Sequence, residues 1–481
     1  MDGQEGGMTD EDAGGNRTDN GAEPMGARGR PTTIDETLAL VEADRLALVR
    51  FLWCDTDGVV RGKMSSATGL GERMASGIGL TKAMQAMSML DHLQPVEGMG
   101  PVGEVRLVPD PTSFVPLPYA DRQGALLCDL LTPAGKPWEA CPRSFLKRQI
   151  GHAAARGLRL QASFEGEFLL ASVGADGVPR PVDAAQCFST TAMNSSNTYL
   201  GNLVDALQRQ GLPLEQYYPE LGHGQQEITI RHAPALRAAD DAVTLRETVR
   251  GVASPLGLHA TFAPKPLAQQ AGNGAHIHFS AWDASETTNL FYDRDATYGL
   301  SLLGRRFVAG VVAHLPGLVA LTCPSVNSYR RLQPRAWSSA YSCWGPDNRE
   351  AAVRVASPFS HDESGTLNAE LKPVDGACNP YLALGGLIAA GLDGIARGLD
   401  PGEPVLADPA DLSDDERTRR GVARLPSSLG EALAALEADV VLTEALGPLL
   451  LSAYLAVKRG DIADFARQDE DEERMAHART F

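Results

Sequence analysis

The chain has 481 residues, 43% of them hydrophobic and 22% charged, so it can bury a large core and exceeds the usual length of one domain. Its 43 Lys and Arg residues are outnumbered by 61 Asp and Glu residues, giving a formal net charge of −18. This acidic balance argues against nucleic acid or an anionic membrane as a partner. The 7 cysteines are scattered without a C-x-x-C pair, which is typical of reduced thiols in a cytoplasmic protein.

The most polar and the most apolar stretches of the sequence are also informative. Residues 1–30 are rich in Gly, Asp and Glu without periodicity, which predicts a disordered tail with no secretory signal. The most apolar stretch, residues 307–320, is interrupted by His314 and Pro316, and we expect it to be too short to span a bilayer.

Two folded domains are predicted after the tail. A helix begins near Thr33 and is followed by short strands, which we assign to a first domain over residues 31–136. The segment Pro-Trp-Glu-Ala-Cys-Pro from Pro137 reads as a linker, and strands alternate with helices beyond it. This alternation predicts α/β construction for a second domain, residues 137–481.

The most informative stretch is Phe-Glu-Gly-Glu-Phe, which lies in an alternating segment over residues 158–171. Successive side chains of a strand point to opposite faces, so Glu165 and Glu167 share one face. Two neighbouring carboxylates repel each other unless a cation lies beside them. A solvated, exposed strand face is the simpler alternative.

Further candidate metal ligands follow along the chain. His276 and His278 have the same period-2 spacing, and three more acids lie in Gly-rich or extended segments: Glu220, Glu227 and Glu370. Carboxylates with one or two imidazoles suit Mg²⁺ or Mn²⁺ better than a structural zinc. A lone strand histidine is more often a core residue, so the prediction rests on the joint occurrence of these groups.

Basic residues form a second group. Arg330 and Arg331 lie in one motif, and Arg349 and Arg354 in another. Guanidinium groups match carboxylate and phosphate oxygens, as a phosphoryl-transfer site requires. The alternative is a surface ion-pair network with neighbouring acids.

Taken in order, these segments resemble the glutamine synthetase family from about residue 35 to the C-terminal helices. The matching motifs are Glu165-x-Glu167, Glu220 followed by Gly-Gln-x-Glu227, Gly274-Ala-His276-x-His278, Asn327-Ser-Tyr-x-Arg331, Asn348-Arg349-x4-Arg354 and Glu370-x-Lys372 followed by Asn379-Pro-Tyr-Leu382. The resemblance implies an α+β fold: a small β-grasp N-terminal domain and a catalytic α/β half-barrel domain. It also implies a homo-oligomer of stacked rings, a dodecamer, in which each site is completed by the neighbouring N-terminal domain.

The resemblance also implies roles for individual residues. One metal ion would be held by Glu167, Glu220 and Glu227, and another by Glu165, His276 and Glu370, with two or three Mg²⁺ or Mn²⁺ ions per site. ATP-binding positions are matched by Glu215, His278 and Ser280. Gly272 and Arg331 match residues that bind the glutamate substrate, and Arg349 and Arg354 match residues that bind phosphate. Asp55 matches the aspartate that deprotonates ammonium.

Two positions depart from the family pattern. The family's mobile flap carries a Glu six residues after the arginine that corresponds to Arg331, and this chain has Trp337 there. A large apolar ring suggests an organic amine instead of ammonium, unless Asp347 or Glu350 takes the place of the flap Glu. The arginine expected after the last metal acid is Lys372, which cannot make a bidentate contact.

We therefore expect an ATP-dependent ligase that joins the side-chain carboxylate of L-glutamate to an amine through γ-glutamyl phosphate. The departure at Trp337 favours a γ-glutamyl-amine synthetase acting on a polyamine or monoamine. The alternatives are a glutamine synthetase proper using ammonium, a catalytically silent family member and a metal-dependent hydrolase. The retained acids disfavour the silent member, and the paired arginines disfavour the hydrolase.

Overall fold

The computed structural model describes residues 29–174 and 178–481. The predicted tail, residues 1–30, lies outside the described residues except for its last two. Of these, Arg30 forms a 3.0 Å ion pair with Asp241 and therefore belongs to the folded part of the chain.

The N-terminal part is built on a six-stranded sheet. Its strands are β1 (Leu48–Cys54), β2 (Val60–Ser66), β3 (Ile78–Thr81), β4 (Glu104–Pro109), β5 (Val115–Pro116) and β6 (Gln123–Leu131). The order is β2-β1-β6-β4-β3, with β5 also paired to β6. Strands β1 and β6 are parallel, and the helices α1 (Ile34–Ala43) and α2 (Leu70–Ser76) accompany the sheet.

The larger part of the chain is built on an eleven-stranded sheet that is curved into a nearly closed barrel. Its strands are β7 (Arg159–Val173), β8 (Pro179–Pro181), β9 (Leu214–Pro219), β10 (Gln225–Ile230), β11 (Ala233–Pro234), β12 (Leu258–Thr261), β13 (Ile277–Trp282), β14 (Tyr341–Pro346), β15 (Ala351–Ala356), β16 (Asn368–Leu371) and β17 (Ala423–Arg424). The order is β17-β14-β15-β16-β13-β7-β10-β9. Strand β7, with 15 residues, also pairs with β8, β11 and β12, so it organises the sheet.

The main hydrophobic core lies against some of the helices of this part of the chain, thirteen of which are described. They are α3 (Pro142–Ala154), α4 (Thr190–Ser195), α5 (Asn197–Arg209), α6 (Ala235–Ala253), α7 (Leu302–Thr322), α8 (Ser328–Arg331), α9 (Glu363–Thr366), α10 (Pro380–Arg397), α11 (Asp414–Arg420), α12 (Leu429–Ala438), α13 (Val440–Leu446), α14 (Pro448–Phe465) and α15 (Glu470–Thr480). Phe164 of β7 packs in this core, on the face opposite the two glutamates.

Helix α7 corrects one expectation, because His314 and Pro316 do not interrupt it. Its 21 residues are long and apolar enough to cross a membrane, as are α13 and α14 if taken together despite a 105° bend. However, 61% of the apolar window of α7 is buried inside the protein. His314 lies 2.6 Å from Asp439 and 3.0 Å from Asp393, as in a core helix with a satisfied polar group.

A buried arginine is one of the contacts that link the N-terminal sheet to the larger part of the chain. Arg143 at the start of α3 contacts Asp110 at 2.9 Å and Asp129 at 3.0 Å from the first sheet, and Asp240 of α6 at 2.8 Å. The architecture confirms the predicted α+β fold with a small N-terminal β-grasp domain and a catalytic half-barrel domain. The boundary at residues 136 and 137 stays a prediction, and Trp138 of the proposed linker packs in the N-terminal core.

We predict that Arg143→Met destabilises the protein by about 3–5 kcal/mol, because buried Asp240 loses its cation while the two acids of the first sheet keep only Lys147 as a cationic partner among the described residues. Arg106→Met is the matched control, since Arg106 forms a 3.2 Å pair with Glu104 on the surface and should contribute less than about 1 kcal/mol. Urea unfolding measures both variants. Equal urea midpoints for the two variants would contradict a stabilising role of Arg143 between the two parts of the chain.

Candidate active site

Many of the charged residues of the candidate site lie on one face of the curved sheet. Directly paired residues of adjacent strands lie on the same face of a sheet, and β7 places Glu167 opposite Glu227 of β10. A second row runs across β15, β16 and β13, where Arg354 pairs with Glu370 and Glu370 with His278. The predicted sharing of one strand face by Glu165 and Glu167 is thus part of a larger arrangement over several neighbouring strands.

The first cluster on this face has the geometry of a cation site. Ligand atoms of Glu165, His278 and Glu370 all lie within 4.8 Å of one another. The His278 Nε2 atom is 3.1 Å from the Glu165 Oε1 atom, and its Nδ1 atom is 2.7 Å from the side-chain oxygen of Asn368. The structure therefore groups His278, and not His276, with these two acids. The assignment of His276 as their partner stays a prediction.

A second cluster surrounds Glu167. The His276 Nε2 atom lies 3.2 Å from the Glu167 Oε1 atom. The other carboxylate oxygen accepts hydrogen bonds from the Gln225 side chain and the Gly274 N–H, both at 2.9 Å. Burial opposes ionisation of Glu167, but His276 and Arg331 outweigh it and lower the pKa of the carboxyl to about 2.

At the neighbouring acids Glu227 and Glu220, basic groups do not outweigh the effect of burial on the pKa. Burial, with the charges of Glu165 and Glu167, raises the pKa of Glu227 to about 10, and the Tyr218 hydroxyl donates a hydrogen bond to its carboxylate. Burial and Glu167 likewise raise the pKa of Glu220. These groups can ionise together only if a further cation joins them, and a set of oxygen donors with imidazole fits Mg²⁺ or Mn²⁺.

Basic side chains lie beside these acids. Arg354 donates to Glu370 at 2.6 Å, and Lys372 contacts Glu370 at 3.2 Å. Burial opposes ionisation of Glu370, yet Lys372 and the adjacent histidines and Arg354 hold the pKa of its carboxyl below the usual range. Arg349 is exposed, and its charge acts on Glu220.

Glycine is required where Arg331 enters the site. A Cβ atom at Gly274 would lie 2.6 Å from the Arg331 guanidinium and 2.8 Å from the Glu167 carboxylate. A Cβ atom at Gly272 would lie 2.9 Å from the Arg331 stem. The backbone can approach both charged groups only because these positions carry no side chain.

Several predicted residues lie apart from the acid clusters. Glu215 is exposed on β9 and pairs with Arg231 at 3.2 Å, while Ser280 accepts a hydrogen bond from Trp282 at 2.9 Å. Asp55 is buried within its own chain and accepts from Arg61 at 2.6 Å, although burial raises the pKa of its carboxyl to about 6. The roles proposed for these three residues stay predictions.

Trp337 lies in a strained loop. Its side chain is 56% exposed in the single chain, so a pocket around it is still a prediction. Its backbone φ is 52°, and Arg335 and Ser339 in the same loop have φ of 58° and 64°. Non-glycine residues rarely adopt this left-handed region, and such strain is concentrated at functional sites.

Sequence reasoning missed the polar contacts of three residues. Gln225 supports Glu167 and also donates to the Gly272 carbonyl at 3.0 Å, and Tyr218 supports Glu227. Gln225 lies inside the motif that runs from Glu220 to Glu227, and Tyr218 lies two residues before it, so their position was a usable signal. Glu350 accepts the Trp337 N–H at 2.8 Å, a contact that no sequence period could reveal.

The chain matches two family models, one after the other. The model of the glutamine synthetase N-terminal domain matches residues 36–138, and that of the glutamine synthetase catalytic domain matches residues 139–477. A gamma-glutamylpolyamine synthetase, GlnA3, from Streptomyces coelicolor is 36% identical over 449 residues, which cover 92% of this chain and 96% of the relative. A glutamine synthetase from Thermus thermophilus is 37% identical over 395 residues, which cover 80% and 87%.

Solved structures agree with these matches. A novel glutamine synthase homolog superposes with a TM-score of 0.81 at 36% identity, covering 91% of this chain and 99% of the other. A GmaS/ADP complex superposes with a TM-score of 0.80 at 31% identity, covering 92% and 99%.

The fold, the acidic site and the relatives together identify the protein as a ligase that forms amide bonds. The chain belongs to the glutamine synthetase family. Members of this family generally depend on ATP and a divalent metal, and use glutamate with an amine or ammonia.

We predict that the metal-free protein loses stability as pH rises from 4.5, the ordinary pKa of Glu227, towards its raised value of about 10. Over this range the folded state retains a proton that the unfolded state releases, so folding is penalised. Adding Mn²⁺ should raise the melting temperature, and by more at higher pH, because the ion replaces the proton. Thermal melts at several pH values, with and without Mn²⁺, measure both effects.

Glu227→Gln should flatten both dependences, whereas Glu97→Gln, at an exposed site in the N-terminal part, should leave them as in the wild type. Identical pH and Mn²⁺ responses in the two variants would count against Glu227 as a metal-binding group.

Proposed function

We propose that this protein joins the side-chain carboxylate of L-glutamate to an organic amine, using ATP and passing through γ-glutamyl phosphate. The observation that carries the proposal is that Arg354, Lys372 and Arg331 lie beside the buried acids of one sheet face. A carboxylate has no good leaving group, so it must first receive the γ-phosphoryl group of ATP. Acids that collect cations, together with arginines, are what that transfer needs.

The acids supply the metal sites in this proposal. One ion would be bound by Glu167, Glu220 and Glu227, and a second by Glu165, His276 and Glu370, with His278 beside the second set. Bound Mg²⁺ or Mn²⁺, two or three ions per site, would offset the charge of the phosphate oxygens. Glu215, His278 and Ser280 would bind the nucleotide.

The basic groups hold the reacting oxygens. Arg331, beside Gly272, is 6% exposed and has guanidinium donors left for the glutamate substrate beyond its 3.2 Å bond to the Val374 carbonyl. Arg349 and Arg354 would stabilise the transferred phosphoryl group, and Lys372 would add a point charge near Glu370.

The second substrate of the proposed reaction is the amine. Trp337 offers an apolar face for an alkyl chain and attraction for a charged amine over its ring. The Streptomyces relative is named as a synthetase of gamma-glutamylpolyamine, which supports a polyamine as the acceptor. A glutamine synthetase using ammonium is the second candidate, since relatives of that name have similar identity to this chain.

Assembly and location are proposed on the family resemblance. Asp55 would deprotonate the amine at the site of a neighbouring subunit in a stacked-ring dodecamer, after its carboxylate is released from Arg61. The division into domains of residues 31–136 and 137–481, and a cytoplasmic location, belong to the same proposal.

A panel of nitrogen nucleophiles tests the proposal. Ammonium, ethanolamine, short alkylamines and polyamines are each supplied with glutamate, ATP and Mg²⁺, and phosphate release and the amide product are measured. We expect the kcat/KM of at least one organic amine to exceed that of ammonium. A preference for ammonium would favour the second candidate, and no turnover with any amine would refute both.

A further inference from the structure

Glu350 is a buried acid to which the sequence assigned only the alternative of replacing the flap Glu. It directly precedes β15, is 7% exposed, and accepts the backbone N–H of Trp337 through its Oε1 atom. Its Oε2 atom is buried and has no hydrogen-bond partner among the described residues. A buried carboxylate oxygen without a donor is costly, so a site for a donor is implied at this atom.

No cation of the described chain makes contact with Glu350. Lys372 is close enough to influence it, but its ammonium group is directed to Glu370 at 3.2 Å and to His276 at 3.4 Å. Burial, and after it the charge of Asp408, raises the pKa of the Glu350 carboxyl. Glu350 therefore has an acceptor oxygen without a donor, and no cation in contact with it, among the described residues.

Glu350 lies between the loop that carries Trp337 and strand β15. On one side it holds the strained loop of residues 332–340, whose Trp337 side chain is exposed. On the other side it lies next to Arg349 and two residues before Ala352, whose carbonyl accepts the Lys372 N–H at 3.0 Å. Glu350 is thus held between the Trp337 loop and strand β15, whose Arg354 contacts the site acid Glu370.

We propose that Glu350 binds the ammonium group of the amine substrate and so selects a cationic nitrogen compound. The proposal rests on the proposed function and adds to it the residue that recognises the amine. Trp337 would pack against the alkyl part, while the Glu350 Oε2 atom accepts from the charged end. A charge-assisted hydrogen bond of this kind is stronger than one between neutral groups.

A purely structural role for Glu350, that of fixing the loop backbone, makes a different prediction. Glu350→Gln keeps the size of the side chain and an oxygen that can accept the Trp337 N–H, but removes the negative charge. A structural role would survive this change, whereas recognition of a cation would not.

Steady-state kinetics with two nucleophiles separate the cases. The best organic amine of the panel is protonated at neutral pH, whereas hydroxylamine is uncharged there and gives a γ-glutamyl hydroxamate at the same acyl phosphate. We expect Glu350→Gln to raise the KM for the cationic amine about tenfold or more. The KM for glutamate and the kinetics of hydroxamate formation should stay as in the wild type.

Glu363→Gln is the matched control, because it makes the same substitution at an exposed acid that accepts from the Tyr292 hydroxyl and has no part in the proposed site. It should change neither KM. An unchanged amine KM in Glu350→Gln, or an equal loss with hydroxylamine, would overturn the proposal. Should that variant not fold, Glu350→Asp must show the selective rise in amine KM, and its absence overturns the proposal too. Failure of the proposed function is a separate outcome, seen as no amine turnover by the wild type.

Discussion

Repulsion among carboxylates on one face of the curved sheet is the constraint on which the site depends. Glu167 and Glu227 lie directly opposite each other on adjacent strands, an arrangement that destabilises a sheet when both are ionised. The chain compensates part of this charge itself, with His276 at Glu167 and with Lys372 and Arg354 at Glu370. The remainder requires protons or metal ions, so the same charges that weaken the apo fold prepare the site for its cations.

The scaffold holds this charge because the opposite face of β7 is strongly apolar. Phe164 packs in the main core beneath α7 and α10, and Phe168 in a second core with α5 and α6. These cores fix the strand on which Glu165 and Glu167 lie, so the two acids cannot move apart. Arg143 fixes the N-terminal sheet against the same body, which sets where that sheet presents its loops.

Sequence patterns predicted the features that depend on the spacing of residues within one segment. The two-residue period placed Glu165 with Glu167 on one face of β7, and the ordered motifs gave the family. The pairing of His278 with Glu165, and of His276 with Glu167, depends on the register between β13 and β7, which spacing within one strand does not contain. The Asp55 contact with Arg61 and the Glu350 contact with Trp337 depend on loop geometry, for which periodicity carries no signal. The apolar stretch around Pro316 was misjudged because tertiary packing keeps the helix continuous.

The central claim is that glutamate is activated by phosphoryl transfer, and oxygen-isotope transfer tests it most directly. Glutamate labelled with heavy oxygen in its side-chain carboxylate is turned over with ATP and the preferred amine, and the released phosphate is analysed by mass spectrometry. Formation of γ-glutamyl phosphate predicts one labelled oxygen in each phosphate, because the amine displaces the phosphate together with a carboxylate oxygen. Phosphate without label would mean that water attacks ATP, and would contradict the account.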